Sequence, residues 1–487
     1  MISFQAKKHD NFAVEFKFGF NCTVDGVKDD FAVNAWIFVP NSLDITPENY
    51  GKNQFYRDIK SNVRLITPVF TLYELYQETL FPLKSLIAAL KKVALAPSDA
   101  ASIDAYEYHL KMFAAVFKSA LRDQVKSLMA SCTMPDASQL VDGYVSNSQQ
   151  VLSRFRSLYK LIDLPDVPEK IKNSFRMCDE FMTHVLDVRT IHLMKLMDAS
   201  SDAQKSAPLR QRLTDLLTDE HAYRNGTGYA MLTGDQKTDR ELVHHYGMLK
   251  KFIESELYIR LDKKKDGVAV QQIYYSLAAG VAMVFATAVS WYYQQVYGSV
   301  TWPLFVVLVI SYMMKDRIKD LLRYYFAHKL GNKYYDKRAI ITIGSTKVGD
   351  LKEGVDFISA GKIPEQVKNM REKSSFVEGE SGIFEEKILL YRQRMQLDDR
   401  ALAVNDQYPR EGVNEILRLH LNRFTHKMDN AKVTADVMDE TGNISSLDVQ
   451  KIYYVNIVFQ LVHDGKIQYR QCRIGMTRDG VVDIDTY

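Results

Sequence analysis

The chain has 487 residues, a quarter of them charged, with a formal charge of +3 and four cysteines. That length suits about three domains. Cys22, Cys132, Cys178 and Cys472 stand far apart with no CxxC pair, which argues against a zinc ribbon, a thioredoxin-type site or a disulfide-stapled secreted scaffold.

The opening MISFQAKKHDNF has a lysine pair but no apolar core after it, so it is not expected to act as a secretory signal. Phe12, Val14, Phe16, Phe18, Phe20 and Cys22 then recur at every second position, the period of a strand with one buried face. Asp25-Gly26 supplies turn chemistry and FAVNAWIFVP follows as a second apolar run closed by Pro40, so a β-hairpin is expected. Residues 61–68 add a further strand, making residues 1–70 a β-rich region.

From residue 71 to 265 the period is helical. Ile103, Tyr106, Leu110, Phe113, Phe117 and Leu121 form one apolar stripe, and Ile171, Phe175, Cys178, Met182, Val185 and Val188 form another after Pro165 and Pro168. These stripes read as the packing faces of a helical bundle, with no cofactor expected. Asp219, Glu220 and His221, with His244 and His245 further on, are the polar cluster to weigh as a metal or acid/base site. Neighbouring residues on a helix diverge by ~100°, so His244 and His245 cannot both face one ion. HExxH is absent. The cluster therefore reads as a helix end running into the Asn225-Gly226 turn; no metal ligand is assigned, and the catalytic residues are unknown.

Residues 267–314 contain no Asp, Glu, Lys, Arg or His. In a chain one quarter charged, such a gap would arise by chance with a probability of roughly one in a million. Residues 273–293 would span about 31 Å as a helix, and residues 302–314 about 20 Å. Tyr274 and Tyr275 at one end, and Trp291, Tyr292 and Tyr293 at the other, suit membrane interfaces. The expectation is a transmembrane helical hairpin over 266–314. Its short second leg must borrow Lys315 to Lys319 by snorkelling, start earlier near Val296, or remain a shallow re-entrant leg. The small residues Ala278, Ala282, Ala286 and Ser290 give a stripe for a close helix contact. The polar residues Ser276, Thr287, Ser290 and Ser311 are few for a pore.

Basic residues flank the gap, four against two acidic ones over 260–266 and eight against three over 315–338. This surplus is suited to anionic head groups and places both termini in the cytoplasm, at an inner membrane if the source is bacterial. It also argues against a nucleic-acid partner. Residues 315–338, with Ile318, Leu321, Leu322, Tyr325 and Leu330 on one side, read as a basic amphipathic juxtamembrane helix.

From 339 to 487 strand signals return as a mainly antiparallel β domain. AIITI is followed by GSTKVGDLKEG, residues 344–354, where Lys347 lacks the spacing of a phosphate-binding loop and a turn is expected. A Gly-, Glu- and Ser-rich loop covers 372–382, then LRLHL alternates, and Asp464-Gly465 and Asp479-Gly480 mark hairpin turns. The fold class expected is an α+β membrane protein. The function expected is a membrane-tethered scaffold, interaction or regulatory protein that is not an enzyme and could assemble as a homo-oligomer. The alternatives are a membrane-bound hydrolase or transferase with a site between the cytoplasmic domains, and an oligomeric pore-forming or membrane-disrupting effector.

Overall fold

The computed structural model describes residues 2–22, 28–131, 137–198, 203–298, 301–331, 335–344, 346–372, 386–403, 408, 409, 411–438, 442 and 444–487. The expected turn at Asp25-Gly26, Cys132, and nearly all of the glycine-rich loop over 372–382 lie outside them. The protein is mixed α and β. It begins β1 Ile2–Asp10, β2 Ala13–Asn21, β3 Lys28–Pro40, α1 Lys52–Asp58 and β4 Ile59–Leu65. Seven helices follow: α2 Leu72–Leu75, α3 Leu83–Leu95, α4 Ala100–Ser131, α5 Ala137–Ser157, α6 Glu169–Asp198, α7 Ala203–Thr227 and α8 Gln236–Ile253. Then come β5 Arg260–Lys265, α9 Val268–Tyr297, α10 Trp302–Gly331, β6 Lys337–Ile343, β7 Thr346–Ile358, α11 Glu365–Glu372 and β8 Glu386–Asp398. The chain closes with α12 Asp399–Ala403, β9 Gly412–His420, α13 Asn422–Thr425, β10 Lys432–Met438, β11 Ile444–Gln450, β12 Tyr453–His463, β13 Lys466–Thr477 and β14 Gly480–Thr486.

Two compact units result, one of Met1–Arg64, Ile259–Asn405 and Gly412–Tyr487, the other of Leu65–Tyr258 and Asp406–Glu411. In the first, an eight-stranded sheet runs β14-β13-β12-β3-β8-β7-β6-β5 and a four-stranded sheet runs β1-β2-β9-β4. The two β-rich stretches of sequence thus interleave: β3 is flanked by β8 and β12, and β2 by β1 and β9. All ladders of the larger sheet are antiparallel.

The expected β2–β3 hairpin does not form. The phenylalanine face of β2 is the reason, because it is covered by the facing sheet and not by an edge neighbour. Phe4, Phe16 and Phe18 surround Phe459 of β12 at 4.9, 5.1 and 5.7 Å between ring centroids, and Phe20 meets Phe31 of β3 at 5.2 Å. Strands joined by a short connection can pair or stack, and here burial of both aromatic faces against each other decides for stacking. Phe12, at the open end of the strand, stays 36% exposed.

In the helical unit α4 and α6 carry the two stripes read from the sequence. Tyr106, Leu110, Phe113, Phe117 and Leu121 are fully buried, and Phe155 stacks between Phe113 and Phe175 at 5.6 and 4.4 Å. Val188 departs from its stripe at 48% exposure. It lies three residues after Val185 and two before the buried Thr190, whose hydroxyl pairs with Tyr144 at 2.9 Å. The α6 face drifts around the helix at this point, because its C-terminal half packs through Thr190 and Leu193.

Candidate functional site

The chain leaves the larger sheet at β5 and re-enters it at β6, and α9 and α10 lie between. β5 and β6 are hydrogen-bonded neighbours from Arg260 opposite Thr342 to Lys265 opposite Lys337. The Asp266 N–H extends the ladder to the Asp336 carbonyl at 3.2 Å. Asp336 then ties the return point down: its carboxylate accepts from the Val355 N–H at 2.8 Å, from Lys52 at 2.7 Å and from the Tyr56 hydroxyl at 3.1 Å. The two helices therefore rise side by side from one edge of one sheet.

Both helices have 30 residues, about 45 Å at the helical rise. They pack through small residues: Ala278 and Ala282 are 0% and 1% exposed, Ala286 and Ser290 half-buried, and the Ser311 hydroxyl donates to the Ala286 carbonyl at 3.4 Å. Nearer the sheet, Tyr274 stacks on Phe326 at 5.2 Å and Arg323 lies over the Tyr275 ring. Over residues 273–314 large apolar side chains are uncovered; Ile273, Val284, Trp291, Trp302 and Ile310 are 54–75% exposed.

Among the described residues one helix, Gln272–Tyr297 within α9, is long and apolar enough to cross a membrane. The second expected span is not confirmed as one. Residues 302–314 and the basic segment after them form the single helix α10, beginning at Trp302 and not near Val296. The basic segment is therefore no separate surface helix. Ile318, Leu322 and Phe326 are half-buried towards α9, whereas Leu321 and Tyr325 are 67% and 50% exposed. Leu330 lies outside the described side chains. Since Ser311 is level with Ala286, Lys315 is one turn closer to the sheet, and the hairpin is free of charge over only about 20 Å.

The sequence-weighted polar cluster does not converge. Asp219 is exposed, Glu220 takes two hydrogen bonds from Arg156 at 2.7 and 3.1 Å, His221 pairs with Asp187 at 2.9 Å, and His245 with Glu180 at 3.0 Å while His244 is exposed. Arg156 also donates to Asp179 and stacks on Tyr223 at 3.5 Å. Arg224, 2% exposed, donates to the Tyr246 hydroxyl at 2.5 Å and the Ala230 carbonyl at 2.8 Å. His184 stacks on Tyr246 at 3.6 Å, and burial, with Arg224 close by, pushes its pKa down to about 4. Apart from the Arg224 Nε, which is buried without a hydrogen bond among the described residues, these groups pair with one another, the arrangement of a specifying core network. The turn expected over 344–354 is mostly strand: Lys347 lies within β7, opposite Thr342 of β6, and pairs with Asp350 at 2.5 Å.

An open groove of about 860 Å³ in the β unit is bordered by Phe38, Thr46, Glu48, Lys368, Arg371 and Glu386. Its described lining includes Thr46 and Ser359 but no histidine or cysteine to activate either hydroxyl.

A cluster that sequence reasoning missed lies where the two sheets end together. Asp29 and Phe31 share a face of β3; His463, opposite Phe31 at the end of β12, stacks on it at 4.3 Å and sets its Nε2 3.2 Å from Asp29 Oδ1. Asp464, in left-handed geometry at φ 49°, turns its carboxylate to 3.3 Å from the same nitrogen. Asp399 follows β8 two residues beyond Leu397, the partner of Asp29, and Cys22 follows β2. Cys22, Asp29 and Asp399 form one group of possible metal ligands, and Asp29, His463 and Asp464 a second. Burial first, then Asp29 and Asp398, raises the Asp399 carboxyl to about 6. Burial first, then Asp399 and Asp29, pushes the Cys22 thiol up. No fixed-spacing motif marks these positions; only the Asp464-Gly465 turn was legible.

No family model, curated protein or solved structure matches this chain.

Proposed function

We propose that the α9–α10 hairpin anchors this protein in a lipid bilayer and that the protein works as a membrane-tethered interaction or regulatory scaffold. The observation that carries this reading is the one-sided burial of the hairpin. Its small-residue face is closed by helix on helix, while large apolar side chains such as Val284 at 70% and Trp302 at 75% exposure face outward. A core hairpin of a soluble fold would bury those faces; lipid covers them without any polar partner. The ~20 Å uncharged depth falls short of the ~30 Å of hydrocarbon, so Lys315 and Lys319 snorkel towards head groups, with Trp291 and Trp302 at the opposite interface.

Both ends of the hairpin join adjacent strands, which supports placing the strands before and after it on one side of the membrane. The basic flanks make that side the cytoplasm. A scaffold is favoured over a hydrolase or transferase because the described groove holds no nucleophile beside a histidine or cysteine.

The test is membrane fractionation with a tag at each end. The protein is expected in the membrane fraction after high-salt and carbonate washes, with both tags shielded in intact cells. Release by carbonate, or recovery as a detergent-free soluble protein, would overturn the anchor. A tag reached from outside intact cells would overturn the topology.

A further inference from the structure

We propose that Cys22, Asp29 and Asp399 bind one divalent transition-metal ion of the zinc class, with His463 orienting Asp29 from behind. The site lies in the β unit and does not depend on the membrane reading.

Four separate chain segments bring these groups together. The ligand atoms of Cys22, Asp29 and Asp399 lie within 4.8 Å of one another, and those of Asp29, His463 and Asp464 likewise. Tetrahedral metal–ligand bonds of ~2.0–2.3 Å put ligand atoms ~3.3–3.8 Å apart, so the three side chains would close by up to about 1.5 Å around an ion. Asp29 is 4% exposed, and both Asp399 oxygens are buried without a hydrogen bond of sound geometry among the described residues. The neighbours that act on Asp399 are Cys22, Asp29 and Asp398, all acids. Two other buried carboxylates of this unit have cations, Glu15 with Lys7 and Arg418 and Glu353 with Lys263, whereas Glu415 is held by the neutral donors Ser61 and Gln393. Among the described residues the groups that act on Asp399 are acidic, and a bound cation would balance them.

The donor set selects the ion. A thiolate beside carboxylates favours zinc, cobalt or similar borderline ions over magnesium and calcium, which prefer all-oxygen shells. Binding replaces the Cys22 S–H bond with a metal–sulfur bond and releases that proton to solvent. His463 holds Asp29 Oδ1 at 3.2 Å and is itself held by Asp464, the carboxylate–histidine pairing that outer shells use to fix a ligand. Cys22 and Asp399 are half-buried, which leaves an entry path.

The experiment uses the full chain in detergent, stripped with a chelator and titrated with Co²⁺. One equivalent is expected, with visible ligand-field bands and a near-ultraviolet sulfur-to-cobalt charge-transfer band, both erased by Zn²⁺. Cys22→Ser should lose the charge-transfer band, and Asp399→Asn should weaken Co²⁺ binding by ~10-fold or more with an unchanged circular dichroism spectrum. His463→Gln should keep the band with weaker binding, as expected of a positioning residue. Absence of stoichiometric Co²⁺ binding overturns the proposal. So does a charge-transfer band that survives in Cys22→Ser, since the ion would then sit on another thiol. If Cys22→Ser does not fold, the Asp399→Asn affinity decides: wild-type affinity in that variant overturns the site.

Discussion

Lys265 lies directly opposite Lys337 in the last pair of the β5–β6 ladder, and the chain between them is the whole helical hairpin. The preceding pair, Lys264 opposite Arg338, is also cationic. Like charges facing across a ladder are unfavourable. Arg338 is relieved by Asp350 at 2.7 Å, Lys263 by Glu353 at 3.3 Å, and Lys337 lies over the Tyr56 ring at 3.8 Å. Lys264 and Lys265 are exposed and have no ion pair among the described residues.

Those two lysines should respond to lipid charge. Each is worth ~1 kcal/mol beside an anionic surface, so the protein in phosphatidylglycerol nanodiscs should melt a few degrees higher than in phosphatidylcholine nanodiscs, an effect that fades at high salt. In Lys264→Gln/Lys265→Gln the difference should largely vanish. An equal difference in variant and wild type would show that this patch does not face the lipid.

Arg224 should be among the costliest polar positions of the helical unit. Its guanidinium is 2% exposed and serves the Tyr246 hydroxyl, the Ala230 carbonyl and Asp187. Arg224→Ala strands those acceptors in a buried place and should destabilise the unit by roughly 3 kcal/mol. Arg224→Lys should rescue little, because an ammonium cannot reproduce the planar fork. Limited proteolysis within residues 65–258 reads the loss; wild-type resistance in Arg224→Ala would refute it.

What was legible in the sequence was periodicity. The alternation from Val14 to Phe20, the stripes of α4 and α6, the charge-free gap and the Asp464-Gly465 turn each follow from a local pattern, and each corresponds to an element. Pairing was not legible. β3 lies between β8 and β12 in ladders such as Ala35 opposite Tyr391 and Phe459, more than 350 residues away, and no local signal names such a partner. The Cys22–Asp29–Asp399–His463 cluster stayed hidden for the same reason, since its members meet only once those ladders are in register. In the basic segment the half-buried side takes in Ile318 and Leu322 of the expected face and adds Phe326, while Leu321 and Tyr325 of that face are exposed, because the position of α9 sets which side is covered.

Glu415 gives a pH-dependent prediction. It is 0% exposed, accepts from Ser61 at 2.5 Å and Gln393 at 2.6 Å, and burial, aided by nearby Glu353, raises its carboxyl to about 7. A raised folded pKa means that the folded state holds the proton which the unfolded state gives up above about 4.5. Stability attributable to this group should therefore fall as pH rises from about 4.5 to about 7, by roughly 3 kcal/mol in all, and stay level above that. Glu415→Gln, which is neutral throughout, removes that slope. Thermal melts of both proteins from pH 5 to 8 measure the difference; parallel curves would mean that Glu415 is ionised in the folded protein.

The small-residue face of the hairpin supplies the last prediction. Ala282 is 1% exposed between Val281 at 48% and Met283 at 57%, so its methyl lies on the covered face of α9. Lipid gives no hydrophobic drive for helices to associate, and close packing at such residues must supply it. Ala282→Leu adds three carbons where there is no room. It should cost ~1–3 kcal/mol of hairpin packing while leaving insertion intact, because leucine is at least as apolar. Cysteines placed at Ala286 and Ser311, which face each other across the helices, should cross-link efficiently with a short reagent, and the yield should drop when Ala282→Leu is added. Carbonate resistance should not change. If cross-linking is indifferent to the leucine, the helices do not pack through Ala282; if the leucine variant leaves the membrane, its effect is on insertion and the packing account fails.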